Sequence, residues 1–504
     1  MSKPSDQLQR DRFAQELDRN FSVIAAAGSG KTRAVTDRIA QLAQAPHAIE
    51  ALPRLRVLTF ANRAADEMQQ RAREQILQAK VSPEILSAFN RAWFGTIHAF
   101  CLKLLNDYGH YLGLPAPLEL ITKDDDLWNE FVQQQTRIGR SLSPENRKAL
   151  LRHTSIRHIM ELGRQAGSAL LRPNEPCAYP DVDLGEVHRG FFQVKKSDTV
   201  ANSQAQLRAW EDGLHDGTGF LRWPICSTKA QSIDKTWEQA FIPLRRWVNQ
   251  TAICVAAEVQ RDYRNFRLER GVVTYDDQIA LADELVQHPE AARRIRLLDP
   301  IVILDEAQDT DPAMFSVLSE ITRPHDASGR WLENHTDPPR AGHFCMVGDF
   351  QQSIYHDRAD LTHYRRVHDA LVATEAGEAL TFSVTFRLDQ KQLDFVNETF
   401  RDILHGADGQ VDFVKLQPRP GVLPGQVIRL SLSSHLLGGQ HKLKDRQVAR
   451  IEADELARWL KEHGPEKLRA RSWREVAILC PRKDWLRTMA IALRKIGLPV
   501  EVQS

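Results

Sequence analysis

The chain has 504 residues, of which 42% are hydrophobic and 26% charged, and its formal net charge is +1. This length is too great for one ordinary core, so several domains are expected, and the composition excludes a disordered chain. No run approaches the roughly 20 apolar residues that a membrane-spanning helix needs, and the charged start lacks the apolar stretch of a signal peptide. Because the net charge is near zero, a nucleic-acid partner would be bound by local basic strips.

The six cysteines are scattered along the chain without a close pair. This spacing argues against a zinc or iron–sulfur site and fits a reducing compartment. We therefore expect a cytoplasmic protein that has no membrane partner.

The segment FSVIAAAGSGKT predicts a phosphate-binding loop. Residues 21–25 are typical of a short buried strand, and apolar residues recur at helical spacing over 32–42. Glycines between them let backbone N–H groups approach a phosphate, which the helix N-terminus also attracts. Lys31 would neutralise the β- and γ-phosphates and the Thr32 hydroxyl would bind magnesium; the alternative is a plain strand–turn–helix with a chance GSGKT. The predicted nucleotide-binding residues of this loop are Ala25, which replaces the usual first glycine, Ala26, Ala27, Gly28, Ser29, Gly30, Lys31, Thr32 and Arg33.

The segment IVILDE, residues 301–306, predicts a central parallel strand that ends in two acids. Acids at the carboxyl end of such a strand can meet whatever the glycine loop holds. Asp305 would bind magnesium, directly or through water, and Glu306 would polarise the attacking water. A solvated acidic loop explains this pair equally well when it is taken alone. The phosphate loop in the same chain makes a nucleotide hydrolase the better interpretation.

Two later segments place polar residues after strands. Residues 344–347 predict a buried strand, after which the Gln352 amide would bridge the bound phosphate and a nucleic-acid groove. A strand from residue 380 leads to Phe386 and Arg387, and this arginine would supply positive charge to a γ-phosphate across a domain cleft. A surface salt bridge is the alternative role for Arg387.

The segments at 57–63 and 94–98 also place polar and aromatic residues at strand ends. Such residues suit a groove that follows a nucleic-acid backbone, whereas local capping or packing is the alternative.

Taken in order, these segments resemble the UvrD/Rep/PcrA and RecB/AddA group of superfamily 1A DNA helicases. The matching motifs are AAAGSGKT, TFANRAADEM, GTIHAFC, LDEAQDTD, VGDFQQSIY and TFRLD, and TYDDQIALADELV is similar to a segment of the AddA/RecB branch. The resemblance implies an α/β fold of RecA-like P-loop NTPase parallel sheets with a large helical insertion. It also implies ATP and Mg²⁺ as cofactors, movement in the 3′ to 5′ direction along single-stranded or partly duplex DNA, and a role in repair or recombination. A helicase–nuclease partner subunit is a further expectation.

The resemblance divides the chain into three parts. Residues 1–108 plus 266–376 would form the first motor domain, 109–265 the helical insertion over the DNA path, and 377–504 the start of an incomplete second motor domain. Within the last part, residues 476–502 predict strand–helix–strand. The proline-containing stretch 165–235 predicts loops.

The family's motifs also imply roles for single residues. Gln7 is the expected adenine-reading residue, with Gln9 as the alternative, and Phe386 would contact the adenine. Glu306, Lys31, Gln352 and Arg387 would be catalytic. DNA contacts are expected from Thr59, Phe60, Asn62, Arg63, Thr96, His98 and Tyr355.

The sequence departs from the family pattern in three ways. Tyr355 is followed by His356 and Asp357, whereas the family has a base-stacking aromatic two residues after this tyrosine. The arginine motif has Thr-Phe-Arg in place of Asn-Tyr-Arg, so the aromatic lacks a hydroxyl. The later motifs do not occur, so we expect a fragment of a longer chain, with a partner-completed motor or a regulatory ATP-binding module as alternatives. A nuclease site would lie beyond Ser504.

Overall fold

The computed structural model describes residues 3–134, 137–166, 178–217, 219–227, 231–353, 361–404, 411, 413–432 and 444–502. The chain divides into two compact units. The first contains Met1–Leu388 and Thr399–Gly421, and the second contains Asp389–Glu398 and Val422–Ser504.

The strands and helices have the following bounds. The strands are β1 (Asn20–Ala25), β2 (Leu55–Thr59), β3 (Trp93–Thr96), β4 (Glu119–Leu120), β5 (Val272–Val273), β6 (Ile301–Leu304), β7 (Phe344–Gly348), β8 (Gly377–Phe382), β9 (Val384–Thr385) and β10 (Gln417–Pro418). The α-helices are α1 (Gln7–Gln15), α2 (Lys31–Leu42), α3 (Ala48–Ala51), α4 (Asn62–Gln78), α5 (Pro83–Phe89), α6 (Ile97–Tyr108), α7 (Asp125–Gln134), α8 (Pro144–His153), α9 (Ile156–Gln165), α10 (Gly185–Gln193), α11 (Asp198–Asp216), α12 (Gln231–Glu269), α13 (Tyr275–Gln287), α14 (Pro289–Leu297), α15 (Pro312–Ile321), α16 (Trp331–Asn334), α17 (Leu361–Val372), α18 (Gln390–Ile403), α19 (Asp445–His463) and α20 (Lys483–Lys495). Short 3₁₀ helices lie at Leu52–Arg54, Gly109–Leu112, Ala307–Asp309, Phe350–Gln352, Pro465–Leu468 and Trp473–Glu475.

A parallel sheet of six strands, in the order β3-β2-β6-β7-β1-β8, organises the first unit. This confirms the predicted α/β fold with a parallel sheet. Because all six strands run in the same direction, the segments that follow them emerge at one edge of the sheet. The edge strand β8 begins after residue 376, so the sheet continues beyond the point where the predicted first domain ends. The division into three domains stays a prediction.

Both faces of this sheet are buried. Val57 and Ile303 pack with the cluster that contains residues of α2 and α4, whereas the next residues, Leu58 and Leu304, pack with the cluster that contains residues of α6, α13, α15 and α17. Alternate side chains of a strand point to opposite faces, so a strand that is covered on both sides needs a continuous apolar run. This requirement explains why these strands are easily recognised in the sequence.

The described residues between α7 and the end of α12 are mostly helical. Its core is rich in aromatic residues, and the 39-residue helix α12 packs along α9. The expectation of loops over 165–235 is wrong for α10, α11 and the start of α12. Proline stops a helix only near its own position, and Pro180 and Pro224 lie between helices here, whereas Pro173 and Pro176 lie outside the described residues. Core residues of this stretch include Trp210, Trp237, Phe241, Leu244 and Trp247.

A buried ion pair joins α12 to α13. Arg267 donates to Asp277 at 2.5 Å, and the two side chains are 8% and 1% exposed. The same carboxylate forms a capping box with Thr274 at the start of α13. Asp277 therefore fixes both the beginning of one helix and its contact with the preceding one.

The second unit has a small core between α19 and α20. The predicted helix over 476–502 is present as α20, but the two predicted flanking strands are wrong. A strand requires a neighbouring strand for its hydrogen bonds, and the described residues of this unit provide none. Leu479, in the middle of the first predicted strand, is 94% exposed.

Among the described helices, none combines the length and the apolar character that a bilayer-spanning segment requires.

Candidate nucleotide-binding site

The loop between β1 and α2 has the backbone geometry of a phosphate cradle. Gly28 and Gly30 have φ of +70° and +80°, the left-handed region that a residue with a Cβ rarely adopts. A Cβ on Gly28 would also lie 2.7 Å from the Thr385 hydroxyl and 3.0 Å from Cγ of Arg387. The predicted strand, glycine turn and helix are therefore present, and α2 begins at Lys31.

The two acids after β6 lie beside this loop. The Lys31 ammonium donates to Oε2 of Glu306 at 2.8 Å, although 275 positions separate these residues in the chain. The parallel sheet makes this contact possible because β1 and β6 end at the same edge. The residues predicted to bind phosphate and to activate water are thus brought into one site.

Asp305 is buried, and its Oδ1 has no hydrogen-bond partner within the described part of the chain. Burial, together with the negative charge of Glu306, raises the pKa of Asp305 to about 7, although Lys31 acts in the opposite direction. A buried carboxylate oxygen without a donor is suited to a cation, which would keep the group deprotonated. Thr32, in the first turn of α2, is the other predicted magnesium ligand. These residues fit a magnesium ion that arrives with a nucleotide.

Glu306 shows the opposite shift. Burial alone would raise the pKa of its carboxyl, but the Lys31 charge, hydrogen bonds from Gln308 and Lys31, and the Arg387 charge outweigh burial and lower it. Its backbone is left-handed, with φ of +53°. Glu306 is therefore ionised at neutral pH, as a proton acceptor must be.

Gln308 is a site residue that the sequence analysis missed. Its side chain is buried, its Nε2 donates to Oε2 of Glu306 at 2.9 Å, and its Oε1 accepts from the Asp349 backbone N–H at 2.9 Å. The available signal was an amide side chain between acids just after a buried strand. Gln352, which was expected to approach the phosphate, donates to Oδ2 of Asp349 at 2.6 Å.

The arginine motif packs directly on the glycine loop. The Phe386 backbone N–H donates to the Gly28 carbonyl at 2.8 Å, and Arg387 lies against the same glycine. Arg387 belongs to the same compact unit as the loop, because β8, which leads to this motif, pairs with β1 in the first sheet. Its action across a domain cleft stays a prediction. The Phe386 ring is partly exposed beside Gly30.

Arg10 of α1 is a second residue that was missed. It donates to the Ser29 carbonyl at 2.7 Å, forms an ion pair with Asp6 at 2.7 Å, and places its guanidinium 4.6 Å and 5.2 Å from the ring centroids of Phe382 and Phe386. In the sequence, Asp6 and Arg10 indicate only an ordinary i,i+4 pair. Their position beside the glycine loop depends on the packing of α1 against β8.

The two glutamines proposed for adenine recognition have different environments. The Gln7 amide donates to Asp11 within α1 at 2.7 Å. The Gln9 carbonyl oxygen accepts from the backbone N–H of Thr381, near the end of β8. Gln9 is therefore the one that contacts the sheet edge at which the glycine loop lies.

The residues predicted to contact DNA lie at the ends of β2 and β3. Thr59 and Thr96 are register partners in these neighbouring strands, and Phe60 and Asn62 follow Thr59. The Phe60 side chain is 47% exposed. This group shares the carboxyl edge of the sheet with the nucleotide site.

Several of these residues also have local partners. Thr96 caps α6 by accepting from the Ala99 N–H at 3.2 Å, and Arg63 pairs with Glu67 at 3.3 Å. His98 packs edge-on against the Tyr275 ring, with 5.3 Å between the centroids. Such contacts are compatible with a second role toward DNA, which stays a prediction. Tyr355 lies outside the described residues.

Comparisons with known proteins agree with the motifs. Residues 6–370 match the family model described as UvrD/REP helicase N-terminal domain. An ATP-dependent helicase/nuclease subunit of Exiguobacterium sibiricum is 24% identical over 78% of this chain and 39% of its own length. A probable DNA helicase II homolog of Mycoplasma capricolum is 24% identical over 67% of this chain and 33% of its own, and the RecBCD enzyme subunit RecB of Haemophilus influenzae is 23% identical over 60% and 30%.

The chain spans about two fifths of the length of the helicase/nuclease relative. The family model, in contrast, covers most of the chain from the first helix to α17. The resemblance drawn from the motifs is confirmed: the chain belongs to the UvrD/REP helicase N-terminal domain family.

Proposed function

We propose that this chain is the ATP-hydrolysing part of a DNA helicase or translocase that acts in repair or recombination. The observation that carries the proposal is the 2.8 Å contact between Lys31 of the glycine loop and Glu306 after β6. This contact supports the proposal because it joins an ammonium suited to phosphate to a carboxylate suited to accept a proton, beside a buried carboxylate suited to magnesium.

The hydrolysis step follows from these positions. The loop N–H groups and Lys31 bind the β- and γ-phosphates, and Lys31 moves its contact from Glu306 to the phosphate. Glu306 then accepts a proton of the water whose oxygen attacks the γ-phosphorus, while the bond from that phosphorus to the bridging oxygen breaks and ADP leaves. Asp305 and Thr32 would hold Mg²⁺, which would supply positive charge to the phosphate oxygens. Arg387 adds positive charge on the γ-phosphate side.

Adenine recognition is assigned to the surface formed by α1 and the arginine motif. The partly exposed Phe386 ring offers a stacking face, and Arg10 fixes that ring to the glycine loop. Gln9 is favoured over Gln7 as the reader of the base, because the Gln7 amide is bonded to Asp11 within its own helix.

The substrate and partner in this proposal are single-stranded or partly duplex DNA and a helicase–nuclease partner subunit. The DNA would lie along the ends of β2 and β3 and move in the 3′ to 5′ direction, as the family resemblance implies. Two of the relatives carry names that describe them as subunits, which supports a partner for this chain as well. The place of action would be the cytoplasm.

Replacement of the two contacting residues tests the proposal. Lys31→Ala and Glu306→Gln should each lower DNA-stimulated ATP turnover by at least about 10²-fold, because each removes a charge aimed at the reacting phosphate or water. Phosphate release is the measurement, and Arg294→Ala, at the exposed pair with Glu290, is the control with unchanged turnover. Turnover that persists in either site variant would overturn the assignment.

Unwinding needs a separate measurement. Strand displacement by the full-length gene product distinguishes a helicase from a module that binds ATP and switches a partner without opening DNA. Processive displacement excludes the module, and ATP turnover without displacement or translocation excludes the motor.

A further inference from the structure

Gln308 connects two segments of the nucleotide site. Its amide nitrogen donates to Glu306, and its carbonyl oxygen accepts from the Asp349 N–H after β7. That oxygen has a second lone pair, which can accept one more donor. A donor to this second lone pair would hold the Gln308 amide more firmly in its orientation.

Tyr364 of α17 places a buried hydroxyl near the Gln308 amide. The side chain is fully buried and stacked between Phe315 and Phe350, with ring centroids 5.8 Å and 4.3 Å away. Its hydroxyl is buried and, within the described residues, has no hydrogen-bond partner. Because a buried hydroxyl without a partner costs about 1–3 kcal/mol, phenylalanine would serve packing better.

The hydroxyl and the Gln308 amide meet at Gly348. A Cβ on Gly348 would lie 2.7 Å from the Tyr364 hydroxyl oxygen and 2.9 Å from Oε1 of Gln308. Both oxygens thus face the same small space above one glycine, which has no side chain to separate them. Burial, and then the charges of Asp349 and Glu306, raise the pKa of Tyr364, so its hydroxyl remains a donor.

We propose that Tyr364 is a positioning residue whose hydroxyl donates to the Gln308 carbonyl oxygen through one water beside Gly348. This bond holds the amide nitrogen toward Glu306 and the carbonyl toward Asp349. When Glu306 shifts on loss of the γ-phosphate, the Gln308 side chain then passes this shift to the Asp349 backbone after β7. The role in catalysis rests on the proposed function, whereas the bond itself does not.

Tyr364→Phe removes the hydroxyl and keeps the ring stack. We expect the kcat of ATP hydrolysis to fall about fivefold with the KM for ATP unchanged, because the hydroxyl orders the base without touching the nucleotide. Tyr263→Phe is the matched control: its buried hydroxyl donates to Asp124 at 2.7 Å in another part of the unit, and its removal should leave kcat unchanged. An unchanged kcat in Tyr364→Phe, or a change in KM alone, would overturn the catalytic role.

Two further measurements test the bond itself. Hydrogen exchange by mass spectrometry should show faster exchange of residues 344–353 in Tyr364→Phe, and not in Tyr263→Phe, because the acceptor of the Asp349 N–H becomes mobile. In a Gln308→Ala background, Tyr364→Phe should have no further effect on this exchange or on kcat, whereas additive effects would refute the contact. Unchanged exchange in Tyr364→Phe counts against this inference alone, whereas full turnover in Lys31→Ala counts against the proposed function and leaves the proposed bond untouched.

Discussion

Asp305 and Glu306 are neighbours in the chain, but their carboxyl groups titrate in opposite directions. Asp305 is buried without a donor and its pKa is about 7, whereas Glu306 accepts bonds from Lys31 and Gln308 and its pKa is lowered. Different environments thus make one of two adjacent acids suited to a cation and the other to a proton, in agreement with the two proposed roles. Between the two acids the backbone changes conformation, since Glu306 is left-handed with φ of +53°.

Asp305→Asn should increase stability while it abolishes magnesium-dependent turnover. The folded pKa of Asp305 lies above its ordinary value of 3.8, so wild-type stability falls as pH rises from about 4 to about 7. The variant avoids the buried charge and should be more stable by about 1–3 kcal/mol at pH 8, without magnesium. Denaturant unfolding measures this difference, which should shrink toward pH 4. Asp326→Asn, at an exposed loop position, is the control, and a variant less stable than wild type at pH 8 would contradict the argument.

The site residues that the sequence predicted are those with a local signal. Glycines before Lys31 and acids after an apolar strand are visible within a few positions, because the phosphate loop and the strand end are local structures. Arg10 and Gln308 have weaker local signals, since each also bonds a distant segment: Arg10 reaches the Ser29 carbonyl 19 positions away, and Gln308 the Asp349 N–H 41 positions away. Their roles arise only when the sheet brings separate segments together.

Strands and helices differ in how well the sequence predicts them. The core strands β1, β2, β6 and β7 were found because a parallel strand buried on both faces needs a continuous apolar run. The segments at 476–480 and 498–502 have similar apolar runs. Such a run does not show whether a neighbouring strand is present to form the backbone hydrogen bonds. Prolines do not predict where α10 and α11 lie: Pro180 precedes α10 and Pro224 follows α11, and a proline stops a helix only near its own position.

The contact between α12 and α13 gives a prediction at this scale. Asp277→Ala should lower the free energy of unfolding by about 3 kcal/mol, because it leaves the Arg267 charge buried without its partner and removes the cap of α13. Chemical denaturation measures the effect. Glu290→Ala, in the exposed pair with Arg294, should cost less than about 1 kcal/mol. If both variants lost the same free energy of unfolding, the buried pair would contribute no more stability than the exposed one.

At the scale of the whole chain, the two compact units are built differently. The first has a six-stranded sheet with a large core on each face, and the second has a small core between two helices that consists mainly of alanine and leucine. The family resemblance implied a second motor domain in this region, and the described residues do not test that division. The sequence pattern can indicate where a second domain starts. It does not show how much of that domain's hydrophobic core is formed by residues 422–504.

The second unit should therefore open more readily than the first. We expect backbone amides of α19 and α20 to exchange with solvent at least about tenfold faster than those of α2, because few apolar side chains are buried around them. Hydrogen exchange on the intact chain measures both regions in one sample, so α2 is an internal control. Equal protection of the two regions would contradict this expectation.

The contact between Lys31 and Glu306 has a consequence for the end of the reaction cycle. In the proposed cycle, a phosphate bound in the loop would take the Lys31 ammonium from a carboxylate that belongs to the protein. After hydrolysis this carboxylate would compete with the remaining diphosphate for the same cation and so favour its departure. The proposed base would thus also help to clear the site for the next round.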